Sequence, residues 1–141
     1  MRLSTTISAE PKQVWDVLAD FPALAQWCSA VEHSAPATEQ REGVGAARRV
    51  QLNGFVLREQ VITWKPEERL AYTVSGLPPN VSRCVNKWTL EAQNGTTVVT
   101  LAMDLTTRGA TGFVMSAALT PALTAASKQM LKGLKVTVES G

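Results

Sequence analysis

The chain reads as an α+β protein in which an antiparallel sheet of about seven strands curls around one long C-terminal helix. Three observations predict it. Past Pro121 the apolar residues Leu123, Ala126, Met130, Leu131, Leu134 and Val138 recur at helical spacing, with Lys128, Lys132, Lys135 and Glu139 on the opposite side. Asn53-Gly54 and Asn94-Gly95 each stand between apolar runs, and both pairs tolerate the two successive positive φ values of a type I′ hairpin turn. Helical patterning is confined to the segment after the first strand and to the C-terminus, so consecutive strands pair as hairpins with the helices segregated to one face.

Length and charge bound the partners. At 141 residues the chain is one domain, 1–141, able to bury roughly two-thirds of its unfolded surface. A net charge of +2, with basic residues scattered among acidic ones, lacks the footprint a phosphate backbone requires, so no nucleic-acid partner is expected. Cys28, Cys84 and the single histidine, His33, show no metal-ligand spacing, and no metal, cofactor or disulfide framework is expected. Two free thiols suit a reducing cytoplasm. The N-terminus alternates instead of forming an apolar core, and Thr120, Pro121 and Thr124 interrupt the most apolar helical stretch, so the expectation is a soluble cytoplasmic protein with no transmembrane segment.

Residues 2–9 alternate Leu3, Thr5, Ile7 and Ala9 against Arg2, Ser4, Thr6 and Ser8, the period of a half-buried strand. Pro11 suits a first helical turn, Val14, Trp15, Val17 and Leu18 supply an apolar face, and a second short helix carries Leu24 and Trp27. Alternation resumes from Ala30 to Ala37, and Thr38 to Gly45 is a polar connection. The first Asn-Gly turn sets Leu52 against Phe55, Val50 against Leu57 and Arg48 against Glu59, with Val61 further along the same face. Arg69 to Ser75 forms a strand, closed by the proline-containing loop Gly76 to Asn80. The second turn sets Leu90 against Val99, Trp88 against Leu101, Asn86 against Met103 and Cys84 against Leu105. The last helix is expected from Thr111 to Glu139. Either it breaks near Pro121, with Thr120 as an N-cap, or one longer helix kinks there. Residues 121–138 would span about 27 Å.

One helix, about 10 to 12 Å across, covers only part of such a sheet. The space beside it must hold large side chains or something that is not protein. Inner candidates include Thr63, Cys84, Asn86, Ala126 and Ser127, and aromatics are only 6% of the chain, which favours a hollow on the order of several hundred Å³.

Several segments together resemble the helix-grip superfamily of START-like proteins, and within it the polyketide cyclase/dehydrase (SRPBCC) type. They are Ile7 to Pro11 with Val14, Trp15 and Asp20; Trp27; Gly43 to Gly45 with Arg48; Trp64 to Pro66 with Leu70 and Tyr72; and Leu131 to Glu139. The resemblance covers nearly the whole chain. It implies a hydrophobic cavity between sheet and C-terminal helix, used across the superfamily for lipids, sterols, quinones, plant hormones and aromatic polyketides. It does not by itself imply catalysis.

The inward residues expected to meet a ligand are Arg48, Val50, Leu57, Glu59, Val61, Asn86, Trp88, Leu101, Met103, Ser127, Met130 and Leu134. Met130 and Leu134 read equally well as solid core. Arg48 and Glu59 are two opposite charges across a hairpin on an apolar face. They are either a rim ion pair of little worth or a polar anchor, Arg48 bonding a ligand carbonyl or carboxylate and Glu59 orienting it or taking a proton. Asn86 wants hydrogen-bond partners, from main chain, water or ligand. His33 shares a parity with Val31 and Ala35, which would turn it inward, but an exposed or capped histidine is the favoured reading. Tyr72 lies on a strand whose parity the sequence leaves open. Gly43 and Gly45 lack the third glycine and following helix of a phosphate loop.

Two functions fit: binding or carrying a hydrophobic small molecule, or a cyclase/dehydratase acting through Arg48, Glu59 and either His33 or Tyr72. The first is favoured, because no nucleophile, base and orienting group stand together. A protein partner is not indicated, though a filled interior would leave the outer sheet face as a partner surface.

Overall fold

The structure, a computed structural model, describes residues 1–109 and 112–141, without the side chains at 113 and 115–117. The seven strands are β1 (Arg2–Ile7), β2 (Val31–Pro36), β3 (Ala47–Leu52), β4 (Phe55–Lys65), β5 (Arg69–Ser75), β6 (Val81–Gln93) and β7 (Thr96–Thr107). They form one sheet in the order β1-β7-β6-β5-β4-β3-β2, with antiparallel neighbours. Helix α1 (Pro11–Ala19) and a 3-10 turn (Phe21–Gln26) carry the chain from one edge strand to the other. At the start of α1, Pro11 occupies the first turn and Gln13 Oε1 accepts the Glu10 N–H at 3.0 Å.

Both Asn-Gly pairs form the expected turns. Asn53 and Gly54 have φ of 50° and 79°, and Asn94 and Gly95 have 51° and 83°. They set the register down to single residues. Val50 pairs with Leu57 and Arg48 with Glu59 across β3 and β4, while Trp88 pairs with Leu101 and Asn86 with Met103 across β6 and β7. Leu57, Trp88, Leu101 and Val50 are all buried.

Register shifts interrupt three strand pairs, and besides the one between Val81 and Arg83 at the end of β6, two of them change the parity of residues beyond them. The register shifts between Val31 and His33, so Ser34, not His33, pairs with the inward Val50. Ser34 Oγ bonds the 3-10 turn, donating to Pro22 O and accepting from Ala25 N, whereas His33 is exposed with Nδ1 3.4 Å from Arg49 Nη1. The inward reading of His33 is therefore corrected. A second shift between Val61 and Thr63 sets Trp64 opposite the buried Leu70, and Thr63, an inner candidate by simple alternation, goes to the other face.

Helix α2 (Gly112–Ser140) runs unbroken through Pro121. Thr120 is thus not an N-cap, and the single longer helix is the arrangement the chain adopts. Thr111, where the sequence reading starts this helix, lies outside the described residues. Pro121 is exposed, so its ring meets solvent instead of sheet. Among the described side chains the buried stripe is Ala126, Ser127, Met130, Leu131, Leu134 and Val138. The second half of the helix is pinned: Lys135 Nζ donates to Thr6 O, and Glu139 Oε2 accepts the Ser8 N–H at 2.9 Å. At Gly133 the helix lies against the chain after the 3-10 turn so closely that an added Cβ would stand 2.0 Å from Trp27 O.

Candidate functional site

Between α2 and the sheet the packing is close but incomplete. A cavity of about 30 Å³ is bounded by Leu57, Glu59, Cys84, Asn86, Met103, Ser127 and Met130, with Leu52, Val74, Leu77, Leu123 and Ala126 completing its wall. One of about 20 Å³ lies beside it, reaching Leu24, Cys28, Val31 and Val50, and shares Leu57, Glu59, Ala126 and Met130. A third, of about 30 Å³, leads toward the β3–β4 turn among Leu52, Asn53, Phe55, Leu57, Leu77, Leu119, Ala122 and Leu123. These are separate spaces, each near the size of one water molecule, and not the several hundred Å³ expected from the low aromatic content. The aromatics compensate by location. Phe21 with Tyr72 and Trp27 with Trp88 make edge-on pairs in the interior with ring centroids 5.4 and 6.2 Å apart, and Trp15 of α1 packs edge-on against Trp64 at 5.1 Å.

Of the residues expected at a ligand, Val50, Leu57, Glu59, Asn86, Met103, Ser127 and Met130 line these cavities. Arg48, Val61, Trp88, Leu101 and Leu134 are buried around them without lining them. Alternation could not single out Leu24, Cys28, Val74, Leu77 and Leu123, which arrive from the 3-10 turn, a loop, a strand end and the less buried part of α2.

Arg48 and Glu59 are 3% and 5% exposed, so they are no rim pair. Arg48 Nε meets Glu59 Oε1 at 2.7 Å and its Nη1 donates to Phe21 O at 2.8 Å. Its guanidinium carbon lies 3.8 Å from the Phe21 ring centroid and 4.8 Å from that of Tyr72. The arginine is held behind Glu59 by a carboxylate, a carbonyl and two rings, and only the glutamate reaches the cavity wall.

Tyr72, whose orientation the sequence left open, points inward and is fully buried; its hydroxyl oxygen accepts the Trp88 Nε1–H at 3.2 Å. Burial and then the Glu59 charge push its pKa up to about 12, against the opposing effects of Arg48, Trp88 and Asn86. Cys84 is likewise pushed up to about 12 by burial, then by Glu59 and Asp104, and burial also raises Cys28. Neutral thiols are poor nucleophiles, so neither cysteine offers an activated sulfur. Asn86 is 6% exposed, and its Oδ1 has no hydrogen-bond partner; among the described residues it is the one buried side-chain polar atom in that state.

A larger concavity lies elsewhere on the surface, an open cleft of about 540 Å³ among Trp15, Asp16, Ala19, Asp20, Arg41, Glu42, Trp64 and Pro66. Its charged groups face water, and Asp16 is already paired with Lys12 at 2.8 Å. The interior seam, where polar groups are held out of water, is the stronger candidate.

An antiparallel sheet gripping one helix over a buried polar seam defines a helix-grip protein. The chain belongs to the family described as polyketide cyclase / dehydrase and lipid transport, which it matches over residues 1–139. The Zhui aromatase/cyclase of Streptomyces sp. R1128 superposes with a TM-score of 0.76 at 19% identity, covering 99% of this chain and 92% of that one. The di-domain aromatase/cyclase StfQ of the steffimycin biosynthetic pathway gives 0.81 at 14% identity, over 99% of this chain and 50% of that one. At these identities the likeness is one of fold. An uncharacterized protein of Mycobacterium tuberculosis is 28% identical over 72 residues, 50% of this chain and 43% of its own length. The match thus spans under half the length of that curated relative. No helix among the described residues is long and apolar enough to cross a membrane.

Proposed function

We propose that the protein binds or carries a hydrophobic small molecule, of the lipid, quinone or aromatic polyketide-like kind, in the seam between α2 and the sheet. The observation that carries this reading is the row of adjoining cavities along that seam, apolar at Leu57, Ala126 and Met130 yet including Glu59 and Asn86. A ligand would merge these spaces by turning the leucine and methionine side chains that divide them. Each 100 Å² of its apolar surface taken from water would contribute roughly 2.5 kcal/mol. The setting we propose is the cytoplasm, where the two buried thiols stay reduced.

A cyclase or dehydratase is the second reading, favoured by Glu59 on the cavity wall and by the aromatase/cyclases among the fold's relatives. In it Glu59 would accept a proton from the bound substrate. Arg48 would hold that carboxylate in place, Tyr72 stands behind the wall and His33 is outside.

The test is uptake of 1-anilinonaphthalene-8-sulfonate by the folded protein, read as dye fluorescence, in wild type and in Ser127→Phe. Ser127 is buried on the cavity wall, so a phenyl group there should occupy the seam and abolish uptake, with circular dichroism showing a retained fold. Uptake that persists undiminished in the folded variant would mean that the dye sits outside the seam.

A further inference from the structure

The seam is lopsided in its hydrogen-bonding chemistry. Ser127 spends its hydroxyl proton on Leu123 O at 2.8 Å, which leaves only lone pairs on Oγ. Glu59, as the carboxylate partner of Arg48, can only accept, and one of its oxygens already takes the Arg48 Nε–H. Asn86 Oδ1 is an acceptor with nothing to accept. The strong donors nearby are directed elsewhere: Arg48 lies behind Glu59, the Trp88 indole N–H goes to Tyr72, and the Asn86 amide nitrogen also serves Tyr72. Apart from the weak thiol of Cys84 and the Asn86 amide nitrogen, the side-chain polar atoms of the cavity's lining residues are acceptors, and all belong to residues at least nine-tenths buried.

We infer that the ligand of this seam is an apolar molecule carrying a hydroxyl, a phenol or alcohol, whose O–H is received by Asn86 Oδ1 with the Glu59 carboxylate beside it. This rests on the carrier reading above and deepens it by setting the polarity of the anchor. A buried acceptor left without a donor loses its hydration and regains nothing, so a ligand that supplies the proton gains what an ether or ketone of the same shape cannot. An acceptor-only ligand also brings a second lone pair against a carboxylate. The sequence-level expectation of a carbonyl bonded by Arg48 is thereby reversed: the protein accepts and the ligand donates.

The test is calorimetric titration of the folded protein with 2-naphthol and with 2-methoxynaphthalene, which differ in one donated proton, each repeated on Asn86→Leu and on Ser127→Phe. The expected result is binding of 2-naphthol about tenfold or more tighter than its methyl ether, the lower end of what a hydrogen bond to a charged or stranded buried acceptor is worth. The preference should collapse to within about twofold in Asn86→Leu. Asn86→Asp, which keeps an acceptor at the same place, should retain it and covers the case in which the leucine variant fails to fold. Equal affinities in wild type, both abolished by Ser127→Phe, would leave the carrier reading standing and overturn the donor inference. A preference that survives in folded Asn86→Leu overturns it too. If neither compound binds, or if both bind Ser127→Phe as well as wild type, both readings fall.

Discussion

Arg48, Glu59 and Tyr72 form one unit at the scale of single residues, and their energetics follow from burial. Removing one partner of a desolvated ion pair strands the other, at about 3 to 5 kcal/mol. Arg48→Met should therefore lower stability by that amount in urea denaturation. Adding Glu59→Leu removes the stranded carboxylate but leaves Phe21 O without its donor, a loss of about 1 to 3 kcal/mol, so the double variant should fall between Arg48→Met and wild type. A double variant as unstable as the two singles summed would show that the charges do not depend on one another. Tyr72 is the chain's single tyrosine, so its ionisation can be read alone by ultraviolet absorbance. The folded value of about 12 stands above the ordinary 10.0, so the folded state holds the proton longer. The contribution is fully present below pH 10 and is lost as pH rises toward 12, an amount on the order of 2 to 3 kcal/mol. Phenolate absorbance should appear near pH 12 or only with unfolding; a native titration near pH 10 would remove Tyr72 from the core. At this scale the sequence showed the Arg48 and Glu59 pairing because an Asn-Gly turn counts residues outward from itself. Simple alternation misplaced Thr63, and for His33 it pointed inward where the favoured exposed reading holds, because each follows a bulge, and neither bulge is marked by glycine or proline.

Turns and helices were legible at the scale of elements where the chemistry is local. Asn-Gly pairs and Pro11 act through their own backbone torsions, and no distant contact overrides them here. Pro121 was ambiguous for the opposite reason. A proline inside a helix removes one hydrogen bond and crowds the preceding turn, at about 3 kcal/mol in isolation, and only packing decides whether the helix continues. Among the described residues, α2 is held after Pro121 by Lys135 and Glu139 at β1 and its end and by Gly133 against the chain after the 3-10 turn. Gly133 gives a prediction by sign. Glycine to alanine on a free helix surface stabilises by about 1 kcal/mol, but here the new methyl would lie 2.0 Å from Trp27 O, and α2 or the turn must move. Overpacking of that kind costs about 1 to 3 kcal/mol or more, so Gly133→Ala should lower the melting temperature. A rise would mean that α2 and the turn are not in contact at this position.

The unresolved quantity of the whole molecule is volume, because a ligand of naphthalene size cannot enter cavities of about 20 and 30 Å³ without moving something. Composition misled here: few aromatics suggested a hollow, yet six of the eight stand in edge-on pairs, with Phe21, Tyr72 and Trp88 buried, and composition carries no information about place. The structure does indicate which part can yield. The second half of α2 is tied to β1 and abuts Trp27, so moving it would break several contacts at once. Toward the β3–β4 turn the restraint is weaker. Pro121 and Ala122 are exposed, Leu119 and Leu123 are only partly buried, and the facing wall is Phe55, 42% exposed, with Leu77 from the loop 76–80. Pro121 also lacks the N–H that would tie this turn to the preceding one, so local opening there costs less than elsewhere along the helix. Ligand entry should then proceed between residues 119–123 and the loop 76–80, with the cavity beside Phe55 as its vestibule. Hydrogen exchange read by mass spectrometry checks this: saturating 2-naphthol should slow exchange in peptides covering 76–80 and 119–126 more than in those covering 131–138. Protection centred on 131–138 instead would place the moving part at the anchored end of α2 and refute this entry route.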